Sequence, residues 1–193
     1  ISSLAKNKKS FSRYGIVLLI CLLILCVFFI PTYNKRKIES TETVDNITKQ
    51  DQLKKVASKA KDHSVRLAAV KKLSDQTLLA QIALEAIYSF DNEKVILQQT
   101  AVEGVHDQTL LGEIASGSRI SSVCKIAIDK ITDQAILAGV AIEAENDKAR
   151  YQAVLKLTDE ARLSQVALGD ENHSVRRAAV EKLNDKTVLA KIA

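Results

Sequence analysis

From about residue 49 onward, apolar residues recur at the offsets i, i+4, i+5, i+8: Val65, Ala69, Val70, Leu73, then Val123, Ala127, Ile128, Ile131, then Val175, Ala179, Val180, Leu183. These offsets mark one face of a helix. A second run follows each of these; the first is Leu78, Leu79, Ile82 and Ala83. Nothing alternates with a period of two, and the one proline is Pro31, so the pattern predicts helices and no strands. Between the runs stand Ser74-Asp75, Thr132-Asp133, Thr158-Asp159 and Asn184-Asp185. Side-chain oxygens there are placed to accept from the amide groups that open a helix. Asn146-Asp147 and Asn172-His173-Ser174 are placed to do the same before the first helix of a pair.

The helices repeat. Asp75, Asp107, Asp133, Asp159 and Asp185 are separated by 32, 26, 26 and 26 residues. The strings that follow nearly match: Asp75-Gln-Thr-Leu-Leu-Ala-Gln-Ile-Ala83 against Asp107-Gln-Thr-Leu-Leu-Gly-Glu-Ile-Ala115. A step of 26 back from Asp75 reaches Lys49, followed by Leu53, Val56 and Ala57, a degenerate first copy. Ala69, Ala101, Ala127, Ala153 and Ala179 form one small-residue column, and Ala83, Ala115, Ala141, Ala167 and Ala193 another. Small residues at fixed repeat positions let neighbouring helices approach closely. A short helix pair cannot bury its apolar face alone, so it stacks on the next. The expectation is an all-α stack of helix pairs of about 26 residues over 48–193. The long spacing, Asp75 to Asp107, holds six extra residues around 87–93. Two of the three aromatics beyond residue 38 fall there, Tyr88 and Phe90; the third is Tyr151. Aromatic residues are common interface anchors, which makes these three candidate partner contacts. The alternative is that Tyr88 and Phe90 cover the local core.

The N-terminal part reads differently. Tyr14 to Asn34 carries no charge, and Ile16 to Ile30 is wholly apolar, close to the roughly 20 residues that span a bilayer core. Tyr14 and Tyr33 stand at its ends, bracketed by Arg13 and Lys35. No small-x-small cleavage site follows Ile30, which favours an uncleaved anchor over a signal peptide. The expected organisation is a basic tail over 1–13, a transmembrane helix over 14–33, a polar linker over 34–47 and the repeats over 48–193. The lipid bilayer is then a partner through 14–33, in a single-pass membrane protein. Four basic residues precede the run and three follow it, which leans toward a body on the extracytoplasmic side. The absence of Met and the bulky Ile1 predict residues upstream, and apolar Leu189 and Ile192 predict further repeats beyond Ala193.

Charge narrows the function classes. Residues 1–37 hold seven of the 28 basic residues and no acid, leaving 21 against 23 acids in the body, a net of about −2. Such a body has no surplus with which to neutralise phosphates, so no nucleic acid is expected as partner. The five repeat aspartates are too far apart to cooperate in acid–base catalysis and are expected to be helix caps. His63, His106 and His173 lie in separate repeats, so no metal site is expected. Cys21 and Cys26 fall in the apolar run, and Cys124, with no recognisable base beside it, reads as a semi-exposed thiol without catalytic work. The six glycines are scattered and form no phosphate loop. Neither enzymatic activity nor a cofactor is expected.

With the pairs Val65-Arg66 and Val175-Arg176, followed by the Ala, Leu and Asp positions above, the chain resembles the HEAT-like and variant leucine-rich repeat α-solenoids over about 49–193. That resemblance implies a right-handed α-α superhelix, HEAT/armadillo-like, with an extended concave surface. It also implies an Asp–Arg ladder between repeats. Arg66, Arg150 and Arg176 match the Arg column, while Gln98 and Cys124 interrupt it. The implied function is a membrane-anchored scaffold for protein–protein interaction. Two alternatives are an accessory or lyase-like HEAT-repeat protein, and a function residing in a missing C-terminal portion. Repeats of this kind specify architecture rather than chemistry.

Overall fold

The computed structural model describes residues 43–85 and 91–183. The chain divides into two units, Ile1–Asn46 and Ile47–Ala193. Of the first, only its last four residues are described, with one helical turn over 43–45. The second holds ten described helices and no described strand. They are α1 Gln50–Lys59, α2 His63–Lys72, α3 Gln76–Leu84, α4 Asn92–Gly104, α5 Gln108–Gly117, α6 Ser121–Lys130, α7 Gln134–Glu143, α8 Asp147–Lys156, α9 Glu160–Gly169 and α10 His173–Lys182.

Among the described residues no helix is long and apolar enough to cross a membrane. This overturns the expectation of a single-pass membrane protein with its body on the extracytoplasmic side. The longest described helix, α4, has 13 residues, about 20 Å at 1.5 Å per residue, against a bilayer core of about 30 Å. The run 14–33, with Tyr14 and Tyr33 at its ends and the bilayer as its expected partner, lies outside the described residues.

The helices pack in succession, as in a helical repeat. Each odd-numbered helix packs most extensively against the even-numbered helix that follows it: α1 with α2, α3 with α4, α5 with α6, α7 with α8, α9 with α10. The hairpin therefore begins at the Asp position and not a helix earlier, half a repeat out of phase with the pairing read from the apolar runs. Even helices then stack on even helices, and odd ones, more sparsely, on odd ones. The core runs between the two layers. Ala57, Ala69, Ala83, Ala101, Ala115, Ala127, Ala141, Ala153, Ala167 and Ala179 are all buried there, beside Leu53, Leu79, Leu111, Ile128, Leu137 and Leu157.

The connections between α1 and α3 and between α4 and α10 are each three residues long. Their flanking residues are extended, and no described residue has a positive φ. Helix ends that turn back through a left-handed residue cap their own last carbonyls. These helices do not end that way, so the carbonyls of the last turn need donors from elsewhere.

Candidate interaction site

The polar side chains fall into columns, one member per repeat, and most are committed to helix ends. Asp75, Asp107, Asp133 and Asp159 are the N-caps of α3, α5, α7 and α9. Their carboxylates accept from the amides of Leu78 at 3.0 Å, Leu110 at 3.0 Å, Ala135 at 2.7 Å and Arg162 at 3.0 Å. Asp185 lies outside the described residues. Asp62, Asn146 and Asn172 cap even helices in the same way.

The Arg column does something the sequence did not reveal. Arg66 Nη1 donates to the Ala60 carbonyl at 2.8 Å, Arg150 Nη1 to Ala144 at 2.8 Å and Arg176 Nη1 to Asp170 at 2.8 Å. Gln98 Nε2 donates to the Glu85 carbonyl, and Cys124 Sγ to Ser118 at 3.0 Å. Each acceptor is the C-cap residue of the preceding odd helix. The column is thus unbroken as a column of donors, although its residue type changes. Cys124, expected to be semi-exposed, is buried, and burial pushes its thiol above the ordinary value of 9.0.

Even helices are finished by two further columns. Lys130 Nζ donates to the Val102 carbonyl at 3.2 Å, Lys156 Nζ to Ile128 at 2.7 Å and Lys182 Nζ to Leu155 at 2.6 Å. Partial burial lowers the Lys130 ammonium pKa, with Glu103 opposing. Gln50, Gln76, Gln108 and Gln134, the first residues of their helices, reach to the connection that opens the next hairpin. Their Oε1 atoms accept from the amides of Ser74 at 2.9 Å, His106 at 2.6 Å, Thr132 at 2.8 Å and Thr158 at 2.9 Å. The repeated Asp-Gln dipeptide was the available signal for this ladder.

Among the described residues one charged pair is buried. Arg150 Nε lies 2.7 Å from Asp170 Oδ2, and both side chains are at least 94% inaccessible. Asp170, and secondarily Glu171, raises the guanidinium pKa further. A cavity of about 610 Å³ opens here at the hairpin tips, lined by Arg119, Glu145 and Glu171 among others. Its central cation is already held by the fold, so this is structural ground. Among the described residues, no group of His, Cys, Asp and Glu could hold a metal ion. His63 instead approaches Arg66 and Glu93.

What remains uncommitted is a groove of about 550 Å³ across the even helices α6, α8 and α10. Ser122 and Lys125 of α6, Lys148, Tyr151 and Gln152 of α8, and Arg177 of α10 line it. Tyr151 is half-buried in its wall, and Leu155, one turn further on, is 45% exposed. Lys125, Tyr151 and Arg177 occupy the same repeat position, 26 residues apart. Lys125 pairs with Asp129 and Arg177 with Glu181, both exposed contacts within one helix turn. Such pairs are worth at most a few tenths of a kcal/mol, about 0.3–0.5, and leave the cations available. Tyr88 and Phe90 lie outside the described residues, so of the three aromatic candidates Tyr151 alone is described.

No family model, no curated protein and no solved structure matches the chain.

Proposed function

We propose that the chain is a helical-repeat scaffold for protein–protein interaction, built as a right-handed α-α superhelix of the HEAT/armadillo-like kind. The observation that carries the reading is the groove across three successive even helices, with Tyr151 in its wall and Leu155 exposed beside it. The described polar side chains of the turns are largely consumed by helix ends, whereas Lys125 and Arg177 of the groove are held only by exposed pairs within their own helices. The even helices stack on one another more extensively overall than the odd ones do, as the inner layer of a curved solenoid would. The groove then lies on the concave side, where solenoids present extended binding surfaces. A half-buried tyrosine supplies large, rigid contact area of the sort that dominates interfaces.

The test is site-specific photo-crosslinking in cells that make the protein. A photoreactive residue at position 151 should trap a discrete partner, and the same residue at exposed Gln165 on α9 should not. Equal trapping from both positions, or none from 151, removes the scaffold reading of this face.

A further inference from the structure

Resting on the scaffold reading, we infer that the groove takes an extended acidic peptide, with two carboxylates flanking apolar residues. The column through the groove reads cation, aromatic, cation: Lys125, Tyr151, Arg177. Lys148 adds a third cation one turn before Tyr151. Against these three stands one acid lining the groove, Asp147, whose carboxylate accepts from Asn172 Nδ2 at 2.7 Å. Cations therefore outnumber acids among the lining residues, with Asp129 and Glu181 just outside the groove holding Lys125 and Arg177 in exposed pairs that a ligand carboxylate can displace, on a body whose net charge beyond residue 37 is about −2. Charge complementarity of this kind selects a partner and fixes its register.

Geometry sets the spacing. Packed helices lie about 8–10 Å apart, so two helix steps from Lys125 to Arg177 span about 16–20 Å. An extended chain rises about 3.3 Å per residue and its side chains alternate between two faces, so carboxylates about six residues apart reach both cations from the same face. The residues two and four positions after the first acid share that face, meet Tyr151 and are best apolar. An extended peptide also carries unpaired backbone amides and carbonyls, and the groove offers Ser122 and Gln152 to meet them.

The experiment selects random 12-residue peptides displayed on phage against the full chain. Enriched sequences are then synthesised with a fluorophore and measured by anisotropy. The expected ligands carry two acids about six residues apart, with apolar residues two and four positions after the first. Their Kd should weaken at least tenfold in Lys125→Glu with Arg177→Glu, and likewise at high salt, with circular dichroism unchanged. If the reversed charges disturb folding, Lys125→Gln with Arg177→Gln reads the same loss. Ligands that require Tyr151 but are neutral or basic, and ignore charge reversal, overturn the acidic-peptide inference while leaving the scaffold reading intact. If no enriched ligand is lost in Tyr151→Ala, both fall.

Discussion

A hydrogen-bond donor of almost any chemistry can close a helix if it reaches the last carbonyl. That is why arginine, glutamine and cysteine share one column at Arg66, Gln98, Cys124, Arg150 and Arg176. Cys124 carries the weakest donor of the set and is the most buried. Its raised thiol pKa has a definite sign in stability. The folded state holds this proton more tightly than the unfolded chain, so the contribution is fully present below the ordinary value of 9.0. It is lost as pH rises through the folded value. Two outcomes follow. Iodoacetamide at about pH 8 should modify the Cys124 peptide slowly in the native protein and quickly in denaturant, as read by mass spectrometry. The alkaline fall in stability should also be shallower in Cys124→Ala. Rapid native labelling at Cys124 would mean that the thiol is not enclosed. The glutamine ladder gives a second residue-scale test. Gln108 Oε1 accepts from the amides of Thr132 and Asp133 and from the Thr132 hydroxyl. Gln108→Ala should cost about 1–2 kcal/mol, since water reaches these groups and replaces part of what is lost. The exposed control Gln52→Ala should stay within about 0.5 kcal/mol in chemical denaturation.

Elements are held apart at distances set by their smallest residues. Gly112 on α5 is buried, and a Cβ built there would stand 2.6 Å from Ile136 Cγ2 on α7. That methyl sits on a β-branch and has little freedom to move. Gly112→Ala should therefore destabilise by about 1–3 kcal/mol through overpacking, although alanine is the better helix former. The cost should shrink when Ile136→Ala is made in the same chain. A double-mutant cycle by urea denaturation measures that coupling, and strictly additive effects would show that the two helices do not meet here. The same scale explains what the sequence could and could not tell. Helix bounds, Asp caps and alanine columns follow from local rules, because cap partners lie two or three residues away and a face is defined within one helix. The phase of the hairpin does not. Connections such as 60–62 and 73–75 are equally short, and the period of the apolar runs is the same on both sides of each. The ladders were missed for a related reason: Gln108 and Lys156 bond residues 24 and 28 positions away, and periodicity along one helix does not name its neighbour. The groove was legible only through Tyr151, because Lys125 and Arg177 become its neighbours through stacking alone.

In a linear array each hairpin touches only the next, so the stability of the whole is a chain of interface terms rather than one core. The interface between the α7–α8 and α9–α10 hairpins, like that between the first two, rests mainly on the even layer. Its odd helices, α7 and α9, meet sparsely, and α8 packing on α10 carries most of it. The buried pair of Arg150 with Asp170 joins the same two hairpins. Removing one member of a buried pair leaves the other uncompensated and costs about 3–5 kcal/mol in the fully enclosed case. Glu171 at 3.1 Å remains to receive the guanidinium, but its side chain is 85% exposed and replaces Asp170 poorly. Asp170→Ala should thus uncouple the α9–α10 hairpin and leave the preceding ones largely in place. Native-state hydrogen exchange reads this directly. Amides of α9 and α10 should lose protection well ahead of those of α5 to α8, and denaturation should broaden or split into two steps. Asp129→Ala, which removes only an exposed pair with Lys125, should leave the exchange pattern as it was. A uniform loss of protection across all the hairpins in Asp170→Ala would show instead that the stack unfolds as one cooperative unit, with the pair distributing its effect along the whole array.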